Sequence, residues 1–244
     1  MKKHIPNLIT LLNLASGIIA ILFAIQDQLE YAAYFVFLGI IFDFFDGFVA
    51  RILGVQSELG VQLDSLADVV TSGVAPGIVM FQLLHNVDTD WLMTDYLHPS
   101  KDINFLPFVG IIVSLAAAYR LAKFNIDNRQ HYGFIGLPTP AFSIFIVSLP
   151  LVSSYGNHEW AMHLVKNHYF LIVVVLLGSY LMNSNLALFS LKFSNYQFKE
   201  NAVKYIFIVL TIILLAVLKV TAIPFLIILY ILVSTANNLV AKKV

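Results

Sequence analysis

The sequence predicts an all-α integral membrane protein, a bundle of about eight transmembrane helices with both termini in the cytoplasm. Three observations predict it. Of the 244 residues, 59% are hydrophobic and only 11% are charged, whereas soluble domains carry about 25% charged residues. The apolar residues gather in runs approaching the roughly 20 that a helix needs to cross a bilayer. The cationic residues between those runs are biased to one side. Net charge is zero, so no basic face for nucleic acid is implied. The absence of cysteine excludes disulfides and thiolate metal sites.

The first run, 7–25, opens with "PNLITLLNLASG", in which Pro6 suits a first helical turn. It superficially resembles a leader peptide. Its apolar stretch is too long and no small-residue cleavage site follows, so it is expected to remain as a helix. The second and third runs, 31–53 and 62–84, are joined by a short loop and should pack as antiparallel neighbours. The fourth, 105–124, ends in basic residues. The fifth and sixth, 138–153 and 168–183, are short for spans. The seventh and eighth, 202–218 and 221–240, are separated by a turn in which Pro224 starts the new helix. No stretch is left for a soluble domain, so residues 1–244 are expected to form one membrane domain.

With the N-terminus in the cytoplasm, that side receives Lys2, Lys3, Arg51, Arg120, Lys123, Arg129, Lys192, Lys199, Lys204, Lys242 and Lys243. The other side receives Lys101, Lys166 and Lys219. The asymmetry sets the orientation, and Trp91, Tyr96 and Trp160 suit an outer interfacial belt. Five histidines (His85, His98, His158, His163 and His168) fall at the outer side, and His131 is read as a solvated loop residue.

One segment conflicts with its apolar surroundings. "DFFDGFVARILGVQSELGVQLDSLAD", from Asp43 to Asp68, places four aspartates and one arginine beside lipid-like flanks. Each intramembrane charge costs roughly 2.5–3.5 kcal/mol on insertion scales. Spacings of three and four put Asp43, Asp46, Gly47 and Ala50 on one helical face, and Gly60, Asp64 and Asp68 on another. Antiparallel packing lets the two acidic faces meet. Four carboxylates in one cavity repel unless cations neutralise them, and hard oxygen ligands suit Mg²⁺ or Mn²⁺. Gly47 and Ala50 leave room for a flat base or a pyrophosphate beside the helix. Two other readings stand on spacing alone. One is a set of helix-joining ion pairs, although one arginine cannot balance four aspartates. The other is a cation pathway.

The spacing D-x2-D-G-x2-A-R-x8-G-x3-D-x3-D, at Asp43, Asp46, Gly47, Ala50, Arg51, Gly60, Asp64 and Asp68, resembles the signature of the CDP-alcohol phosphotransferases. The resemblance implies a multi-pass enzyme of the cytoplasmic membrane with its site facing the cytoplasm. It implies two divalent cations, Mg²⁺ or Mn²⁺, held by Asp43, Asp46, Asp64 and Asp68, with Asp68 also the base on the acceptor alcohol. It implies transfer of a phosphatidyl group from CDP-diacylglycerol, release of CMP, contacts with membrane lipids and a homodimer. Gly47, Ala50, Arg51 and Ser57, with Asn7 and Thr10 of the first helix, are the expected CDP-lipid contacts.

"RLAKFN" at 120–125, followed by "GLPTP" at 136–140, is similar to the serine-using members of that family. The likeness implies L-serine as acceptor, with Arg120, Lys123 and Asn125 as candidates for its carboxylate, since a carboxylate favours fixed cationic donors. Positive-inside anchoring is the plainer reading of Arg120 and Lys123. The same chemistry on glycerol 3-phosphate or an inositol phosphate is the nearest alternative, and a divalent-cation transporter the more distant one.

Overall fold

The computed structural model describes residues 4–87, 104–126, 134–188 and 198–241. Trp91, Tyr96, Arg129, His131 and Lys192 lie outside the described residues. The first two helices, α1 (His4–Ile25) and α2 (Leu29–Leu53), form a hairpin. They are followed by α3 (Glu58–Asp68), which passes through a π-helical turn, Val69–Val74, directly into α4 (Ala75–Asn86). Next come α5 (Ile111–Ile126), α6 (Thr139–Tyr155), α7 (Glu159–Val165), α8 (His168–Asn183), α9 (Phe198–Leu218) and α10 (Ala222–Ala241). One antiparallel pairing of two-residue strands interrupts the helices, β1 (Phe134–Ile135) against β2 (Ala187–Leu188).

The protein is an all-α membrane protein, and its surface explains why. Along α1 the buried residues are Pro6, Thr10, Asn13, Ser16, Gly17, Ala20 and Ala24, while Leu8, Leu11, Leu12, Ile18, Ile19 and Leu22 face outward. A soluble helix buries its large apolar side chains. This one exposes them and buries small and polar ones, as a helix does when lipid is its solvent.

By length and composition, four stretches among the described residues qualify as spans: His4–Ile25, Glu58–Asn86, Leu106–Ile126 and Asn201–Asn237. The pair α7 and α8, bent by 71°, makes up to a fifth, and α6 is a shorter apolar helix. Asn201–Asn237 holds two helices, not one. The rings of Phe207 and Tyr230 lie 5.9 Å apart, which requires α10 to fold back on α9 at the turn carrying Lys219 (φ 49°). The third helix starts at Glu58, four residues before the expected 62, because Ser57 caps it by accepting a hydrogen bond from the Gly60 N–H at 3.1 Å.

Close approach of α1, α2 and the π-helical turn fixes the centre of the bundle. Thr71, fully buried, sits between Gly17 and Gly39. A Cβ on Gly17 would lie 2.8 Å from the Thr71 Cα, and one on Gly39 would lie 2.5 Å from its Cγ2. Gly17→Ala is therefore expected to destabilise the protein by about 1–3 kcal/mol through over-packing. The check is the thermal midpoint in detergent, and an unchanged midpoint would contradict this packing.

Candidate active site

α2 ends at Gly54, whose left-handed conformation (φ 61°) lets its N–H reach the last carbonyls of the helix. Only three further residues separate Gly54 from α3. The chain therefore reverses at once, and the acidic faces of α2 and α3 meet. One carboxylate oxygen each from Asp43, Asp64 and Asp68 come within 4.8 Å of one another. Asp68 is buried, and Asp43 and Asp64 are half-buried. The Oδ1 of Asp64 is buried without a hydrogen-bond partner. Three converging carboxylates, one with an orphaned oxygen, fit a hard divalent cation such as Mg²⁺ or Mn²⁺.

Asp46 stands beside this group and not within it. Its Oδ2 accepts a hydrogen bond from the Thr10 hydroxyl at 2.5 Å, and it lies within electrostatic reach of Asp64 and Asp68. The four-carboxylate set expected from the sequence is thus three convergent oxygens plus a neighbour held by α1. The physical reason is Thr10, which draws the Asp46 side chain toward the first helix.

Next to the carboxylates opens a cavity of about 510 Å³. All six residues expected at the CDP-lipid line it: Asn7, Thr10, Gly47, Ala50, Arg51 and Ser57. Asp46 and Asp64 line it too, so Asp64 joins the cavity to the acidic cluster. A Cβ at Gly47 would meet nothing within 4 Å, so the missing side chain leaves open space there. Gly60 is the tighter position: its Cβ would come 3.2 Å from Ser57 Oγ and 3.5 Å from Asn7 Oδ1.

Residues 3–236 match the family model for CDP-alcohol phosphatidyltransferase. The chain belongs to that family. It is 35% identical over 151 residues to the CDP-diacylglycerol–serine O-phosphatidyltransferase of Bacillus subtilis, covering 60% of this chain and 75% of that one. It is 36% identical over 152 residues to the protein of the same name from Methanocaldococcus jannaschii, covering 62% and 63%. It is 32% identical over 189 residues to the one from Helicobacter pylori, covering 74% and 70%.

In this CDP-alcohol phosphatidyltransferase the three residues expected at the acceptor do not gather at one point. Asn125 is exposed, and its side chain is paired with Ser65 of α3, accepting from Oγ at 3.1 Å and donating to it at 2.9 Å. Arg120 and Lys123 share a cleft of about 20 Å³ with Met182 and Asn183, room for about one water. The buried Arg120 guanidinium is already engaged: Nη1 donates to the carbonyls of Ile135, at 3.1 Å, and Met182. It ties α5 to β1 and to the end of α8. The sequence reading also passed over Asn13, whose Nδ2 donates to Asp68 Oδ1 at 3.2 Å. The signal was present. Thr10, Asn13 and Gly17 stand three and four residues apart along an apolar helix, which puts them on one face.

Proposed function

We propose that this protein transfers the phosphatidyl group of CDP-diacylglycerol to the hydroxyl of L-serine, giving phosphatidylserine and CMP. The observation that carries the reading is Asp64, shared by a carboxylate cluster suited to metal and a cavity of nucleotide size lined by the motif residues. Serine as acceptor rests on the names of the relatives and on the "RLAKFN" segment. Asp43, Asp64 and Asp68 would hold two divalent cations, with Asp46 completing the set from beside Thr10. Bound there, the cations would neutralise the pyrophosphate and the leaving oxygen. Asn7, Thr10, Gly47, Ala50, Arg51 and Ser57 would seat the CDP moiety. Asp68 accepts the proton of the serine hydroxyl as its oxygen attacks the phosphorus that bears diacylglycerol. A new P–O bond forms, the bond to the bridging oxygen breaks, and CMP departs with that electron pair.

The site would open to the cytoplasm. Support comes from the loop-charge bias and from the geometry, since Arg51 lines the cavity and Asn125 and Lys123 lie at the end of α5 that pairs with Ser65. A homodimer in the cytoplasmic membrane and a single domain over 1–244 belong to the same proposal. The test is purified protein with CDP-diacylglycerol, Mn²⁺ and labelled serine, glycerol 3-phosphate and inositol phosphate in parallel. Serine should enter the lipid phase far faster than the others. A preference for glycerol 3-phosphate would overturn the acceptor.

Two substitutions probe the substrate contacts. Arg51→Ala removes a donor contact present in ground and transition states alike, so apparent KM for CDP-diacylglycerol should rise with kcat little changed. A lost charge-assisted hydrogen bond is worth about 1.5–3 kcal/mol, a rise of about ten- to a hundredfold. An unchanged KM would remove Arg51 from the donor site. With Arg120 Nη1 donating to two carbonyls, Lys123 is the other cationic candidate for the serine carboxylate. Lys123→Ala should lower the preference for serine over serinol, measured as a ratio of kcat/KM, and an unchanged ratio would exclude Lys123.

A further inference from the structure

We propose that Asn13 is a positioning residue for Asp68, held in place by the Thr71 hydroxyl across the π-helical turn. The inference rests on the reading of Asp68 as metal ligand and base. Asn13 is fully buried in α1. Its Nδ2 donates to Asp68 Oδ1 at 3.2 Å, and its own Oδ1 has no partner. An amide with one end unpartnered is costly in an apolar interior, so packing alone would favour leucine at this position. What the amide supplies is an N–H aimed at a carboxylate. That hydrogen bond fixes the plane of the Asp68 carboxylate, as outer-layer partners do for ligating side chains.

Thr71 closes the arrangement. It lies three residues past Asp68, in the π-helical turn, and its Oγ1 donates to the Asn13 main-chain carbonyl at 3.0 Å. Asn13 is therefore gripped twice by the same short segment, through its side chain by Asp68 and through its backbone by Thr71. Gly17 and Gly39 make that grip possible, since a Cβ on either would collide with Thr71. π-helical turns inside α-helices are frequent at functional sites. Here the turn delivers the carboxylate and the hydroxyl to one residue of α1.

The test uses the full-length protein and Mn²⁺ alone, with binding read by titration calorimetry and electron paramagnetic resonance, alongside thermal midpoint and serine-dependent CMP release. Asn13→Ala should weaken Mn²⁺ binding about ten- to a hundredfold, the usual loss for an outer-layer partner. It should also lower kcat while KM for CDP-diacylglycerol stays within about twofold. Thr71→Ser keeps the hydroxyl and loses the methyl, so Mn²⁺ affinity should stay near that of the parent. Thr71→Ala loses both and should bind more weakly. A role in packing alone predicts that the serine and alanine variants fall together, and that result would overturn the proposal. So would parent-like Mn²⁺ affinity in Asn13→Ala. A parent that binds no Mn²⁺ fails the metal reading itself and this inference with it. A parent that binds Mn²⁺ beside an unchanged Asn13→Ala fails this inference alone. Should Asn13→Ala not fold, the two Thr71 variants decide.

Discussion

Asp64→Asn should reduce phosphatidyl transfer to background. Asp64 is the residue common to the carboxylate cluster and the nucleotide-sized cavity, and its buried Oδ1 has no protein partner to lose. The substitution keeps the shape of the side chain and removes its charge. Losing an outer-layer partner of a metal ligand costs about ten- to a hundredfold, so losing a ligand should exceed a hundredfold. Asp43→Asn should behave alike, because its carboxylate belongs to the same convergent group. Chelation by EDTA should abolish turnover and added Mn²⁺ should restore it. The measurement is CMP release from CDP-diacylglycerol with saturating serine. Activity of Asp64→Asn within a few-fold of the parent would remove the carboxylates from the chemistry.

Asp68→Asn should differ in kind. Here the base is removed together with a ligand charge, and general-base catalysis contributes about a hundred- to ten-thousandfold. The fall should appear in kcat at saturating serine and CDP-diacylglycerol, where tighter substrate supply cannot compensate. Asn125→Ala offers the contrast, because Asn125 is exposed and bonded to Ser65. Its loss should change kcat far less. Equal losses in the two variants would show that Asp68 acts only through the stability of α3.

The contrast between Asp64 and Arg120 shows what was legible in the chain. The carboxylates are i, i+3 and i, i+4 neighbours on two helices joined by a short loop, so helical periodicity and chain reversal bring them together. The cavity residues follow from the same pattern, since Thr10 lies on the buried face of a helix that otherwise exposes leucine and isoleucine, and the half-buried Asn7 stands one turn before it. The carbonyl contacts of Arg120 were not legible. Its partners are main-chain carbonyls of Ile135 and Met182, brought near by a two-residue strand pairing and a left-handed Gly136 (φ 76°). Backbone acceptors leave no mark in the side-chain sequence. The π-helical turn at Val69–Val74 is hidden for a similar reason: "VVTSGV" carries no period of its own, and the turn shows only in how Thr71 meets Gly17 and Gly39. Asp46 falls between these cases. Its helical face was predicted, but the pull of Thr10 on its carboxylate depends on how α1 and α2 pack.

The proposed function requires one site to couple cleavage of the pyrophosphate linkage to transfer of the phosphatidyl group onto serine. The most direct measurement follows CMP and lipid-linked serine together in the same reaction, using purified protein, CDP-diacylglycerol, Mn²⁺ and labelled L-serine. The account predicts equimolar release and incorporation, both dependent on serine and both lost in Asp64→Asn. CMP release without incorporation of serine, or Mn²⁺ flux across a vesicle membrane with no CMP release, would contradict it.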